Sequence, residues 1–598
     1  MRSNGEQPMK RLLQKGRPFF FTSLAQTSLA TLCQVFIKQA TRVASFKMTD
    51  TLVGQMCRLP EEYLQELLSV RPLQALAWNQ PLPDAVVIED PFSSCICARE
   101  SRLRRRFLHR ALSLLAKTER TEVPPFGARD DSYVDILVLV DHLHTLESCS
   151  DYDTHAMFHH GGGWSKTVLE AVMNLFPRLD CHDVRTTHRR LCEIERALIS
   201  YARSLGRTAR RFPPPHRLVR RMASSLRDRV TSFLNSEEFK RVPEDLQKSL
   251  RCQVCGVITN VVIPALDCVR TRKSIGLCHL SAGAAMYDAA LRRHTTLDSI
   301  DARALHAFGR REVRKLQERI ASTTSGGSAH DSTPLTLMES LKTYQHIADC
   351  SMGDKRLKES LFDQRIVDLE VKCCRVKEMP NSEQCDAPKA YYVGDTFNVN
   401  PTHWHAASDC EALAFHEVYP GHHFQFKVEN HRRTNSDFRY FCHHTGYVEG
   451  WAVYSETLVP TAIEGGDAGV LRSQLLRAAR VVLDTGVHAL GWTGEQALEY
   501  MKAVVPGESE ASVSNEMDRV ISEPGQLCGY YVGKTVVERF VDRKDEPGSS
   551  PPSAGQVGRG EGARSRRSDL LLAGSMPLRL IRGWRTLSED MRAGGSSE

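Results

Sequence analysis

His416-Glu417-Val418-Tyr419-Pro420-Gly421-His422-His423 decides how this chain is read. Upstream, Ser408-Asp409-Cys410-Glu411 has the form of a capping box, which predicts a helix start there. Leu413, Ala414 and Phe415 carry that helix into His416-Glu417. A helix with adjacent His and Glu is how many zinc peptidases present one ligand and a general base together. The usual second histidine stands four residues on, but here that position is Pro420, which offers no ligand atom. On an unbroken helix His422 would lie about 240° around and about 9 Å along from His416. His423 would face the right way but about 10.5 Å along. Pro420 and Gly421 interrupt the helical ladder and loosen the dihedrals, so a local bulge is expected to return His422 to the face of His416. His423 stays open as the other candidate, expected nearby without coordinating.

Glu449 opens Glu449-Gly450-Trp451-Ala452-Val453-Tyr454-Ser455-Glu456, which reads as a helix ending at Pro460. Glu449 and Glu456 are seven residues apart and share a face. A glutamate on a second helix is the usual third ligand in one class of zinc peptidase. Two imidazoles and a carboxylate leave a fourth position for water, as a catalytic zinc requires. The expected ligands of one zinc ion are therefore His416, His422 and Glu449, with Glu417 as base. Glu456 is expected to accept from a ligating histidine and orient it.

Further out, Ala390-Tyr391-Tyr392-Val393 and Phe397-Asn398-Val399-Asn400 predict short strands, closed by Pro401. Asn398 is the candidate for pairing with an extended substrate. Most of the rest predicts helix. Val168–Phe176 and His188–Leu205 space apolar residues by three and four, and Pro213-Pro214-Pro215 separates two helices. The fold class is mainly α, with a small sheet whose edge runs near Tyr391 to Asn400 and borders the metal helix. The expected regions are an N-terminal extension (1–50), a helical half (51–321), a Ser/Thr/Gly-rich linker (322–334) and a metal-binding region (335–543). A Gly/Ser/Pro/Arg-rich insert (544–568), expected to be disordered, and a C-terminal segment (569–598) follow.

Bulk properties agree with an ordinary soluble globular protein. The chain has 598 residues, 41% apolar and 25% charged, and a net charge of +7. Two basic runs, Arg99 to Arg110 and Arg207 to Arg229, lack interleaved stacking aromatics. They read as solvated helix faces, and no nucleic-acid partner is expected. The 18 cysteines are irregularly spaced. They read as reduced thiols of an intracellular protein, Cys252-x-x-Cys255 included. The first 50 residues carry eight Lys/Arg and weakly resemble a transit peptide, so the expected location is cytoplasmic, with mitochondrial as the alternative. No transmembrane segment is expected, because no stretch reaches about 18 uncharged apolar residues.

The stretch Glu411 to Gln425, with Glu449-Gly450-Trp451-Ala452, resembles the domain of unknown function 885 family, whose pattern is His-Glu-x-x-Pro-Gly-His followed by Glu-Gly-Trp-Ala. Further blocks are similar: Arg477 to His488 with Gly491-Trp492, then Glu516 to Arg519 with Pro524-Gly525-Gln526, Tyr530 and Gly533. So are Tyr287, His294-Thr295-Thr296 and Gly574 to Leu578, so the likeness covers roughly residues 130 to 585. By resemblance the family groups with gluzincin-type metallopeptidases, which implies a helical zincin-like architecture, one Zn2+ and a peptide substrate. It implies that Glu417 takes a proton from the zinc-bound water and passes it to the leaving amine. His488 and Tyr530 become candidates for oxyanion donors, and Asp484, four residues before His488, for orienting that imidazole. Arg519 becomes a candidate to clamp a substrate carboxylate, or else forms a structural ion pair. The family places an ordered helix between Gly533 and the final Pro-Leu block, where this chain has its low-complexity stretch. Two other readings stay open: a catalytically inactive zinc-containing scaffold or partner-binding protein, and a zinc hydrolase of non-peptide amides.

Overall fold

A computed structural model describes residues 52–70, 94–116, 131–149, 184–324, 334–432, 438–463, 465–542 and 560–581, with short breaks at 298–299, 325–333, 381–383, 385–387, 404, 442–443 and 507. The N-terminal extension and the Val168–Phe176 stretch lie outside these residues, as does most of the expected linker.

The first three helices, α1 (Leu52–Val70), α2 (Ser94–Ala116) and α3 (Asp131–Ser148), pack on one another. Tyr63 and Phe107 meet edge to face at 5.5 Å between them. The first basic run lies on α2 and is matched by acids of its neighbours. Arg110 meets Glu62 at 2.7 Å, Arg105 meets Glu147 at 2.9 Å, and Arg106 meets Glu66. Next come α4 (Val184–Arg211) and α5 (His216–Asn235) on either side of the triple proline, then α6 (Glu244–Asp267). The inward residues Leu191, Ile194, Leu198, Tyr201 and Leu205 of α4 keep the helical three-and-four spacing and are all buried. Among the described residues α6 is the one helix long and apolar enough to cross a membrane, and it packs against α4 and α5.

After α7 (Gly283–Thr295), α8 (Ala302–Thr324) and α9 (Leu337–Gly353) the chain forms its sheet: β1 (Arg375–Glu378), β2 (Ala390–Val393) and β3 (Thr396–Val399). The order is β1-β3-β2. β1 runs parallel to β3 with Val376 opposite Phe397, and β2 runs antiparallel with Tyr392 opposite Phe397. The strand of Asn398 is therefore central and paired on both sides. The edge facing the metal helix is β2, which corrects the expected substrate-pairing role of Asn398. Its buried amide donates to the Thr396 carbonyl instead.

The remaining helices enclose the site: α10 (Ala407–Glu417), α11 (His422–Arg432), α12 (Thr445–Ser455), α13 (Gly466–His488), α14 (Gly494–Val504), α15 (Glu510–Ser522), α16 (Cys528–Val541) and α17 (Glu561–Ala573). The architecture is mainly helical with one small sheet, as expected. Buried apolar residues from Met56 to Ile581 form one continuous cluster, so the expected halves share a core. α13 is its axis, with Ala478 to His488 entirely buried. α12 and α16 touch backbone to backbone. A Cβ on Gly533 would lie 1.9 Å from the Gly446 carbonyl oxygen and 2.8 Å from the Gly450 Cα, so only glycine fits.

Two local expectations fail. The capping box is absent: α10 starts at Ala407 behind Ala406, with no side-chain cap. Glu411 turns away to accept from the Ala462 and Ile463 N–H groups at 2.6 and 3.1 Å, and so pins the loop that enters α13. The expected disorder fails for 561–568, which lie in α17, while residues 544–559 of the insert lie outside the described residues. Its composition is polar, but Arg567 is buried and donates to the Leu361 carbonyl at 2.7 Å. Ser568 Oγ likewise accepts from the Asp363 N–H at 3.0 Å. Side-chain hydrogen bonds to backbone, invisible to a count of apolar residues, order this segment. The helix that the family places before the final Pro-Leu block is thus present.

Candidate metal centre

The helix carrying His416 ends at once after Glu417, and no bulge forms. The chain turns through a cis Tyr419-Pro420 bond and restarts as α11 at His422. Gly421 makes the turn feasible: a Cβ there would lie 1.9 Å from the His416 carbonyl oxygen. The break places His422 beside His416, with ring centroids 4.9 Å apart and planes at 84°. Trp451 of α12 fixes the turn by donating from Nε1 to the Pro420 carbonyl at 2.8 Å, and Ser455 donates to the Phe415 carbonyl at 3.0 Å. These bonds seat α12 across the turn and bring Glu449, four residues into the helix and not at its start, to both imidazoles.

Glu449 Oε2 lies 3.5 Å from His416 Nε2 and 3.4 Å from His422 Nε2. All three ligand atoms lie within 4.8 Å of one another. Donor atoms about 2.0–2.1 Å from one tetrahedral ion are about 3.3–3.4 Å apart, so this donor set fits zinc in type and spacing. Glu456, fully buried, accepts from His416 Nδ1 at 2.8 Å. Ser473 and Gln474 also donate to Glu456, at 2.7 and 3.0 Å, and Arg477 stands 3.4 Å away. Burial works against a charged His416, yet the hydrogen bonds of Glu449 and Glu456 hold its imidazolium up to about 9. A metal ion would displace that proton.

Glu417 is buried beside the triad, and Oε2 accepts from the Tyr392 N–H of β2 at 2.9 Å. Burial raises its carboxyl above the usual range, while His416 and His422 pull it back. His423 points away, holding Tyr392 Oη at 3.1 Å and the Lys372 carbonyl at 2.7 Å. It fastens the edge strand to the preceding loop.

The structure does not bring His488 to the site. Its Nδ1 accepts from the Leu277 N–H at 3.1 Å and its Nε2 donates to the Val520 carbonyl at 2.8 Å. Both nitrogens are engaged in the core, so it has no donor for an oxyanion. Asp484 does not orient it. That carboxylate accepts from Tyr287 Oη at 2.7 Å and the Gly525 N–H at 2.9 Å. Tyr530 is close enough to Glu449 that, after burial, the glutamate's charge raises its phenol. Arg519 lies 3.4 Å from Glu516, and it donates to Gln526 Oε1 at 3.1 Å and Tyr530 Oη at 3.2 Å. Of its two expected roles the structure displays the ion pair. The backbone N–H of Tyr392 and the side chain of Arg477 were missed from sequence. Arg477 and Arg480, one turn apart in the otherwise apolar stretch Leu475–Leu483, were the available signal. Cys252, Cys255, Cys268 and Cys278 are free thiols, and among the described residues the His-His-Glu triad is the only grouping that could hold a metal.

Fold and site define a class: a mainly helical protein with a buried two-histidine, one-glutamate centre against the edge of a small sheet. The chain belongs to the family described as bacterial protein of unknown function (DUF885), whose model matches residues 98–582. Two solved structures are similar. One, from Colwellia psychrerythraea, is described as a "putative lipoprotein" and has 19% identity and a TM-score of 0.69, covering 92% of this chain and 100% of that one. The other, from Shewanella oneidensis, is described as a "putative lipoprotein of unknown function" and has 14% identity and a TM-score of 0.62, covering 89% of this chain and 99% of that one. At these identities the likeness is one of fold. No curated protein matches the sequence. The expectation of an intracellular, cytoplasmic or mitochondrial protein is withdrawn, because both fold neighbours are described as lipoproteins and reduced cysteines by themselves assign no compartment.

Proposed function

We propose that this chain is a zinc-dependent hydrolase that cleaves peptide bonds. The observation that carries the reading is the convergence of His416 Nε2, His422 Nε2 and Glu449 Oε2 beside a carboxylate, Glu417, that is not part of the triad. A purely structural metal site has no use for such a base. Zinc, when bound, supplies an acidified water and a polarised carbonyl. Glu417 is anchored through Oε2 by the Tyr392 N–H, and Oε1 accepts no hydrogen bond among the described residues. That free oxygen takes a proton from water and returns it to the leaving amine. Tyr530 supplies the oxyanion donor: Oη already accepts from Arg519, which leaves its proton to point elsewhere. The edge strand β2 is placed to receive an extended substrate along its unpaired side.

The test compares zinc content and peptide-library cleavage for wild type, Glu417→Gln and His416→Ala. Glu417→Gln should keep zinc and fold while hydrolysis falls by roughly 10²-fold or more. His416→Ala should lose metal and activity together. Zinc-loaded wild type that cleaves nothing in a broad library would overturn the reading.

A further inference from the structure

Where α13, α15 and α16 meet, three guanidiniums gather. Arg480 commits Nε and Nη2 to Glu516 at 2.7 and 2.6 Å, and makes no other hydrogen bond among the described residues. Arg519 touches the same carboxylate only at 3.4 Å and leaves Nε without a partner. Arg477 donates from Nη1 to Ser473 at 2.7 Å and stands 3.4 Å from Glu456, while its Nε is buried with no partner. The Tyr530 ring sits between Arg480 and Arg519, whose guanidinium carbons are 5.2 and 5.8 Å from its centroid. Glu523 adds a more distant charge to Arg519.

Arg477 Nε is buried without a partner, which is costly unless an anion meets it, and Arg519 Nε and Arg480 Nη1 make no hydrogen bond among the described residues. A planar carboxylate is the partner whose geometry suits a guanidinium fork. The cluster also adjoins the metal centre at two points. Arg477 reaches Glu456, which holds His416, and Tyr530 lies near Glu449. β2 meets the centre through the Tyr392 N–H, which holds Glu417.

We infer that Arg519 and Arg480, stacked on the Tyr530 ring, form a carboxylate subsite that receives the free C-terminus of a peptide, so that the enzyme removes residues from that end. This rests on the peptide-hydrolase reading and specifies its substrate. The experiment measures binding separately from cleavage. Zinc-loaded Glu417→Gln protein is titrated calorimetrically with one short peptide as the free acid and as the C-terminal amide. The acid should bind about 10- to 100-fold tighter, the range of a charge-assisted pair. In the Arg519→Gln, Glu417→Gln double variant that preference should fall to about 3-fold or less while the amide binds as before. In parallel, mass spectrometry of wild-type digests should show cuts near the C-terminus of the acid and little cutting of the amide. Equal binding of acid and amide, or binding of neither, overturns the subsite whatever wild type cleaves. A wild type that cleaves nothing, with the acid still preferred in binding, leaves the subsite standing and removes the hydrolase reading. The acid–amide comparison needs no arginine variant, so it decides even if Arg519→Gln fails to fold.

Discussion

His416 donates from Nδ1 to Glu456 Oε1 at 2.8 Å, and Glu456 is itself fully buried among Ser473, Gln474 and Arg477. This bond keeps Nδ1 protonated and leaves Nε2, which faces Glu449, as the ligand atom once a metal displaces its proton. No such acceptor serves His422, whose buried Nδ1 has no partner. The donor set is therefore held asymmetrically, with His416 as its fixed member.

Glu456→Gln should therefore weaken zinc binding by about 10- to 100-fold, as losing the partner of a ligating histidine does. Chelator competition measures it, with circular dichroism to show that the fold is retained. Unchanged affinity would mean that Glu456 serves packing alone.

The close approach of α12 and α16 positions Glu449. Gly533→Ala inserts a methyl where the Gly446 carbonyl oxygen lies 1.9 Å away. The helices must part, at an overpacking cost of about 1–3 kcal/mol. Because Glu449 is on α12, zinc affinity should fall as well. Gly494→Ala, with nothing within 4 Å of the new Cβ, is the matched control and should leave both urea midpoint and affinity nearly unchanged. Equal behaviour of the two variants would contradict this account.

Arg567→Ala tests whether α17 is part of the fold. The side chain is buried and donates to the Leu361 carbonyl at 2.7 Å, joining the polar C-terminal stretch to the end of the short helix Lys355–Leu361. Its removal leaves that acceptor unpaired and should cost about 1–3 kcal/mol in a urea titration. A disordered insert predicts no change at all.

The helices were legible where apolar spacing is regular, as in α4, because burial of one face is a property of the sequence itself. The triad was legible as residues but not as geometry. A helix break at Pro420-Gly421, rather than a bulge, brings His422 to His416, and Trp451 and Ser455 hold that turn from thirty residues away or more. His488 and Asp484 were misplaced because spacing along one helix says nothing of what packs against it. Leu277, Val520, Tyr287 and Gly525 come from three distant segments. α17 escaped notice because its order comes from arginine and serine bonds to backbone. The central place of β3 depends on strand order, which the two quoted strands alone do not contain.

The misplacement of His488 has a consequence for stability. With Nδ1 accepting and Nε2 donating, only the neutral imidazole fits, and burial pushes its pKa down to about 3. The unfolded chain takes up that proton near pH 6.5. Between about pH 6.5 and 3 the unfolded state therefore binds one proton more than the native state, and stability falls as pH falls. Asp484 acts in the opposite sense, since burial raises it to about 7: it is protonated in the native state at pH values where the unfolded carboxylate is not, and stability rises on acidification through that window. A whole-protein pH profile mixes the two, so the measurement is a difference. Urea midpoints of chelator-treated wild type and His488→Gln are compared from pH 7.5 to 5, which keeps metal release out of both series. Wild type should be the more stable at pH 7.5, and its advantage should shrink by about 1.4 kcal/mol for each pH unit below 6.5. An advantage that stays constant with pH would show that His488 titrates alike in both states and is not held as a neutral core histidine.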